Sequence, residues 1–598
     1  MVIAVFIFFC TSCVKDLLDQ IPTGELASSE FWKTEEDAMV ALNGAYNEAR
    51  KAFGRDYYWD GQGEFQRTGN VSFTDPGNAV SYRYAAATGF RPANSGDDFD
   101  NYYKLLYGLV NRSNYVIENI EKNTLPIANP DAVEGLERVI GEARMLRAMG
   151  YFRLIELWGD VPYFSKTIND NEEVTTLSRM PIAQIKDSIM VDLDYAVEKL
   201  PVVPDLLGRM TKPAALAMRG KVWLYWASWN NFGWPELKGF TPSGDEANSA
   251  YISAAADFKS VIDDFGLNLF RNGEPGEWGE MGECDVLPNY YYLFMPEANF
   301  DSEMILSITF GGRGTGQSEE LLRDFGTRST EGAQNMINPH ARMLDRYQST
   351  ITGDFAPPIV RLDPNVVADA RTRENSAVNP ETYRNRDYRM KATLLWDFET
   401  LIKLVSLKEE GPIPFIYGRN SNVTEINADA NQSGTIFRKY VRNYGGQGRS
   451  EGDFNFPLIR LADVFLMYAE ATNFVYGPQA DAIALVNRVR HRGNLPPLSV
   501  EKTASKEEFF KAIEQERIVE LIGEGHRGFD IRRWRKIEEV WGAPNGPGLP
   551  NLDTWGNLRW GEDYKQADAR TYERGYIFRI PLAEIERNSN LEQNVPWL

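Results

Sequence analysis

Apolar side chains along the chain recur with a helical period in two long stretches and lose that period in two others. From Asp98 to Ile120 they fall at Tyr102, Leu105, Leu106, Leu109, Val110, Val116, Ile117 and Ile120, which puts one apolar stripe on a helix. Ala132–Trp158 has the same period and stops at Gly159-Asp160-Val161-Pro162. Pro181–Leu200 sets Ile182, Ile185, Ile189, Leu193, Ala196 and Leu200 in register, and Pro201 closes it. Thr211–Ser228 is apolar nearly all round, so this helix is expected at the centre, and Ala214, Ala215, Ala217 and Gly220 allow a neighbour to approach closely. Further helices are predicted over Ala250–Phe265, Leu458–Phe474, Ala480–Arg490 and Lys506–Ile522. Successive helices joined by Pro- or Gly-marked turns predict a mainly α protein of stacked, tetratricopeptide-like pairs without a strict period.

The other two stretches read as loops. Gly54–Gly96 interleaves Gly, Asn and Asp with Tyr57, Tyr58, Trp59, Phe65, Phe73, Tyr82, Tyr84 and Phe90. Phe270–Pro457 mixes long polar connections with short strand candidates such as Met304–Phe310. Loops of this length inside a folded chain are functional or disordered, and the aromatic content argues against disorder. No linker is evident. The expectation is one domain over residues 13–598, with helical scaffold at about 98–265 and 458–540 and loop-rich parts at about 54–96 and 270–457.

The N-terminus is of another kind. Val2–Phe9 is wholly apolar but far shorter than the roughly 20 residues a bilayer span requires. It matches the apolar core of a signal peptide over residues 1–12, and Thr11-Ser12-Cys13 resembles the cleavage and lipidation site of a bacterial lipoprotein. No Lys or Arg precedes the run, which leaves a start upstream of Met1 open. The expectation is a lipid on Cys13, a chain anchored to a membrane and not crossing it.

Composition removes several function classes. With 85 Asp+Glu against 64 Lys+Arg the formal charge is −21. That balance repels a phosphate backbone, so nucleic acid is not an expected partner. Cysteines number three, too few for a disulfide scaffold or a thiolate metal site. His340, His491 and His526 are too far apart for a local zinc motif. Gly311-Gly312-Arg313-Gly314-Thr315-Gly316 lacks the Gly-Lys-Ser/Thr ending of a phosphate loop and reads as a turn after the preceding strand. The densest charged segment runs from Glu514 to Arg535 with Glu516, Arg517, Glu520, Glu524, His526, Arg527, Asp530, Arg532 and Arg533. A metal or acid–base site is conceivable there, and a half-buried salt-bridge network is favoured, because charges taken from water need partners. No carboxylate pair is singled out for glycoside hydrolysis.

Seven segments, taken together, resemble one known family. They are Asp16-Leu17-Leu18-Asp19 with Phe31–Ala38, Gly141–Ala148 through Tyr151-Phe152 to Trp158–Pro162, and Arg209–Ala215. Asn385-Arg386-Asp387, Arg460–Val464 through Tyr468–Ala471, Glu516-Arg517 through Glu524–Asp530, and the ending Ile580-Pro581 to Pro596-Trp597 follow in order. The family they resemble is the SusD/RagB family of Bacteroidota outer-membrane lipoproteins, and the resemblance implies four tetratricopeptide-like helix pairs in an α-α superhelix, with an irregular half carrying short strands. It implies a lipid anchor at the outer face of the outer membrane and a SusC-like TonB-dependent transporter as partner. It also implies capture of an oligosaccharide or polysaccharide, with peptide capture as the alternative, no catalysis and no cofactor. A glycoside hydrolase on a helical scaffold is the less favoured reading. No family motif carries the binding site, so candidates come from loop position and side-chain chemistry. Flat rings stack on sugar faces while Asn, Asp or Arg orient the hydroxyls. The candidates are Tyr57, Tyr58, Trp59, Arg67, Asn70, Tyr84 and Phe90 in the first loop and Trp278, Tyr290 and Tyr291 in the second, with Trp59 and Trp278 as leading stackers. Calcium on Asp60, Asp75 or Glu283 is left open, without EF-hand spacing.

Overall fold

The computed structural model describes residues 31–68, 97–363, 366–416, 435–541, 551–552, 558–559 and 573–598. Its longer helices are α1 (Glu35–Phe53), α2 (Asp97–Asn119), α3 (Pro130–Trp158), α4 (Ile182–Lys199), α5 (Lys212–Phe232), α6 (Gly244–Asp263), α7 (Leu461–Tyr476), α8 (Ala480–His491) and α9 (Lys506–Leu521). The expected helices are all present. The addition is α1, which carries few large apolar residues and buries mostly alanines: Ala38, Ala45, Ala49 and Ala52 with Leu42 and Phe53. A capping box starts it, with the Thr34 hydroxyl accepting from the Asp37 amide and the Asp37 carboxylate accepting from the Thr34 amide.

Consecutive helices are neighbours in space. α1 packs on α2, α2 on α3, α3 on α4, α4 on α5 and α5 on α6, the succession of a tetratricopeptide-like stack. After the excursion 264–460 the chain returns, and α7 packs on α6 before α8 and α9 close over it. α5 takes the central place its sequence demanded. Gly220 shows how close the contact with α6 is: a Cβ there would stand 2.7 Å from the Phe258 ring. Gly159 ends α3 at φ +68°, where a side chain would also strike Leu237.

The irregular half contributes only short two-stranded pairings. Met304–Ile308 pairs antiparallel with Phe456–Arg460, Gln66–Thr68 with Ile337–Pro339, and Thr400–Val405 with Lys408–Pro414. The glycine-rich segment after the first of these strands is a turn, closed by the Gly311 amide on the Gln317 carbonyl at 2.8 Å. No described helix is long and apolar enough to cross a membrane.

Candidate functional site

The first-loop candidates begin in a 3-10 turn, Asp56–Gln62, wedged between the end of α1 and the segment after α9. Asp60 fixes it there by accepting the amides of Gly523, Gly525 and Arg527 at 2.7, 3.0 and 2.8 Å. Burial pushes its carboxyl up to about 7 against those three donors. Both of its oxygens thus accept backbone amides. The Glu283 carboxylate likewise accepts the Glu280 amide at 2.7 Å, and Asp75 lies outside the described residues.

The structure corrects five of the ten sequence-derived site residues, three of them within that wedge. Trp59 is 0% exposed, with Phe529 at 4.9 Å, Tyr102 at 5.8 Å and Phe578 at 6.1 Å between ring centroids. Tyr57 and Tyr58 stack on each other, and both hydroxyls donate to Asp324 Oδ2, at 2.7 and 2.8 Å. The Tyr290 hydroxyl donates to the Glu520 carbonyl, and that of Tyr291 to the Val441 carbonyl at 2.7 Å. These five rings are interior, with their polar tips satisfied inside or, for Trp59 Nε1, shut in without a partner. They pack the junction between helical and irregular halves and present no face to a ligand. Arg67 lies on the described strand Gln66–Thr68, but its side chain is not described; Asn70, Tyr84, Phe90 and Cys13 are outside the described residues.

Trp278 is different. Its ring is only partly buried, on a loop that turns tightly through Gly276, Gly279 and Gly282, all at positive φ. At Gly279 a Cβ would come within 2.6 Å of the Val286 carbonyl, so the turn demands glycine. Trp278 pairs with the partly exposed Tyr388 at 5.3 Å and backs onto buried Trp396 at 5.8 Å. Beneath it, Lys391 Nζ donates to the Glu280 carbonyl at 2.8 Å and stands 3.9 Å from Glu399. Burial lowers the lysine and raises the glutamate. Phe398 follows along the surface: its backbone abuts Gly282, its ring is 37% exposed, and the Arg371 guanidinium lies 4.6 Å from the ring centroid. Tyr388 and Phe398 were not singled out from sequence. Phe398 sits at φ +68°, a conformation that no local sequence signal announces for phenylalanine.

The segment Glu514–Arg535 is a buried ion-pair network, more enclosed than expected. Glu520 accepts from Arg389, Arg460 and Arg492, Glu516 from Arg389 and Arg490, and Glu524 from Arg460 and Lys439. Arg517 bridges Asp463 and Asp530, and Arg533 bridges Asp530 and Glu470. Burial would raise Glu524, but Arg460 and Lys439 outweigh it and hold the carboxyl down to about 2. Among the described residues, no three His, Cys, Asp or Glu side chains are grouped to hold a metal.

His526 has a consequence for pH. Burial pushes it down to about 4, with Lys221 and Arg517 nearby adding to the shift and Asp463 and Glu524 opposing it. The unfolded chain therefore binds a proton on this residue between pH 6.5 and 4 that the folded chain refuses. Its contribution, about 3 kcal/mol for a shift of that size, is present above pH 6.5 and lost as pH falls towards 4. The denaturation midpoint of H526Q should thus fall less than that of the wild type between pH 7 and pH 4; equal falls would refute the assignment.

Comparison with known proteins accounts for this architecture. The SusD family model matches residues 302–597, and a family described as starch-binding and associating with the outer membrane matches residues 42–224. This chain is a SusD-like family protein. SusD-like protein P2 of Formosa agariphila is 23% identical over 586 residues, covering 97% of this chain and 96% of that one. A SusD-like protein of Bacteroides ovatus is 25% identical over 357 residues, 58% of this chain and 57% of its own. Among solved structures, a SusD-like carbohydrate-binding protein from Bacteroides fragilis superimposes with a TM-score of 0.68 at 19% identity, over 94% of this chain and 100% of that one. A laminarin-binding SusD-like protein gives 0.58 at 21% identity, over 94% and 100%. At such identities these likenesses show the shared SusD-like fold, with its helical, tetratricopeptide-like scaffold.

Proposed function

We propose that this protein is a non-enzymatic surface lipoprotein that captures oligosaccharides and delivers them to a SusC-like TonB-dependent transporter, held at the outer membrane through a lipid on Cys13. The observation that carries the reading is the accessible Trp278–Tyr388 pair on the irregular half of a SusD-like fold. A ring left partly in water and backed by a second indole is ready to take the apolar face of a sugar. A hydrolase would need two carboxylates open to substrate at ~5–9 Å; the dense carboxylate clusters described above are enclosed and neutralised by arginines. The helical half supports a protein partner. Between α4 and α5 the loop around Val202, Val203, Leu206 and Leu207 exposes four apolar side chains beside a cleft of about 290 Å³, with Phe300 across it.

Calorimetric titration of residues 14–598 against neutral and acidic oligosaccharides, polysaccharides and peptide digests tests the reading. W278A should weaken glycan binding by about tenfold, the worth of one stacked ring, and should leave the fold intact. Peptide binding alone would replace the glycan by a peptide. Cleavage of the bound sugar would make this an enzyme.

A further inference from the structure

Buried guanidiniums elsewhere in the fold face carboxylates. Arg147 clamps Asp192 at 2.8 and 2.6 Å, Arg153 holds Asp56 at 2.8 Å, and Arg527 joins Glu64 to Glu514. An arginine drawn from water without such a partner is costly. Arg346 is in that position. Its side chain is half-buried, its Nε is shut off from solvent with no acceptor, and no carboxylate among the described residues pairs with it.

What holds Arg346 is aromatic. The guanidinium carbon lies 5.5 Å from the centroid of Phe65 and 5.0 Å from that of Phe355. Phe65 is interior, whereas Phe355 is 50% exposed. The backbone is fixed too. Arg346 ends a 3-10 turn that follows the strand Ile337–Pro339, and its carbonyl accepts Gln515 Nε2 at 2.7 Å. The carboxylates whose charge acts on it, Glu64 and Glu514, are already engaged by Arg527 and Lys536. One positive charge is left over beside an exposed ring on the irregular half. Burial lowers its affinity for its own proton, as expected of a cation kept without a counter-ion.

We propose that Arg346, held between Phe65 and Phe355, binds an oxyanion of the captured glycan, so that the ligand class is an acidic oligosaccharide bearing carboxylate or sulfate groups. This rests on the glycan-capture reading above. A planar guanidinium fork grips a carboxylate or sulfate through paired N–H donors, which a lysine cannot reproduce. Phe355 offers the adjacent sugar ring an apolar face. The net charge of −21 does not oppose this, because fields beyond about 8 Å are screened at physiological salt.

The test titrates wild type, R346Q, R346K and F355A with a neutral β-glucan, an oligogalacturonate and a sulfated galactan of matched length, at low and high salt. The wild type should prefer at least one acidic ligand. R346Q should lose about ten- to a hundredfold for that ligand and little for the neutral one, with R346K intermediate and the salt dependence reduced. Uronate preference assigns a carboxylate and sulfated-galactan preference a sulfate ester. Thermal melts of R346Q and R346K should lie close to the wild type, since no internal ion pair is lost and only the contacts with Phe65 and Phe355 change. Neutral and acidic ligands bound equally, with R346Q unchanged, would overturn this assignment and leave glycan capture standing. No oligosaccharide bound at all would overturn both, whatever peptide is bound instead.

Discussion

E520Q is expected to lose about 3–5 kcal/mol of stability, the cost of leaving a buried charge unpaired. Glu520 is fully buried and faces Arg389 at 3.0 Å, Arg460 at 3.1 Å and Arg492 at 2.8 Å. These belong to one enclosed cluster in which Arg389, Arg460, Arg490, Arg492 and Lys439 balance Glu303, Asp387, Glu516, Glu520 and Glu524. Glutamine keeps the shape but removes one negative charge and turns an amide towards the guanidiniums. The denaturant midpoint against wild type measures the loss. E592Q is the control: its partner Lys238 lies at 3.1 Å with both side chains about three-quarters exposed, and such pairs contribute under about 1 kcal/mol. Similar midpoints for the two variants would mean that the cluster does not act as a balanced unit.

This cluster also shows how far the sequence could be read. The alternation of Ile513, Ile518, Leu521 and Ile522 with Glu514, Glu516, Arg517 and Glu520 declares a helix with charge on a buried face, so a network rather than a catalytic site was legible. Its depth was not, because Arg389, Lys439 and Arg460 arrive from segments whose spatial neighbours no local pattern specifies. The helices were legible for a simpler reason: a period of 3.6 residues is a local property. α1 was missed as a helix in the periodicity because it buries alanines, though its Thr34-Glu35-Glu36-Asp37 start carries the capping signal. The binding rings were the least legible. Aromatics among Gly and Asp suggested exposed loops at both Tyr57–Trp59 and Trp278, and only the fold separates them. The first group is drawn inwards by Asp60 on the Gly523–Arg527 amides, whereas Trp278 is left at the surface by a glycine turn. Arg346 gave no sign in the sequence, since an unpaired cation is defined by what does not approach it.

The distinction between those two tryptophans gives the second large effect. W59A should cost about 3–5 kcal/mol, as expected when a large buried ring is cut back to a methyl group. The void would open among Tyr102, Phe529 and Phe578 and beside the guanidiniums of Arg153 and Arg532, which lie 5.6 and 5.8 Å from the indole. Neighbouring backbone limits collapse: Gly528 is so close that a Cβ there would stand 2.5 Å from the Trp59 carbonyl. The folded fraction of W59A should bind its ligand as the wild type does. W278A should behave in the opposite way, with stability changed by about 1 kcal/mol or less and affinity reduced. Denaturation and calorimetry on the same two variants separate a ring that holds the halves of the protein together from one that meets the ligand. A stable W59A with lost affinity would return Trp59 to the binding surface and require the Asp56–Gln62 turn to open when ligand is bound.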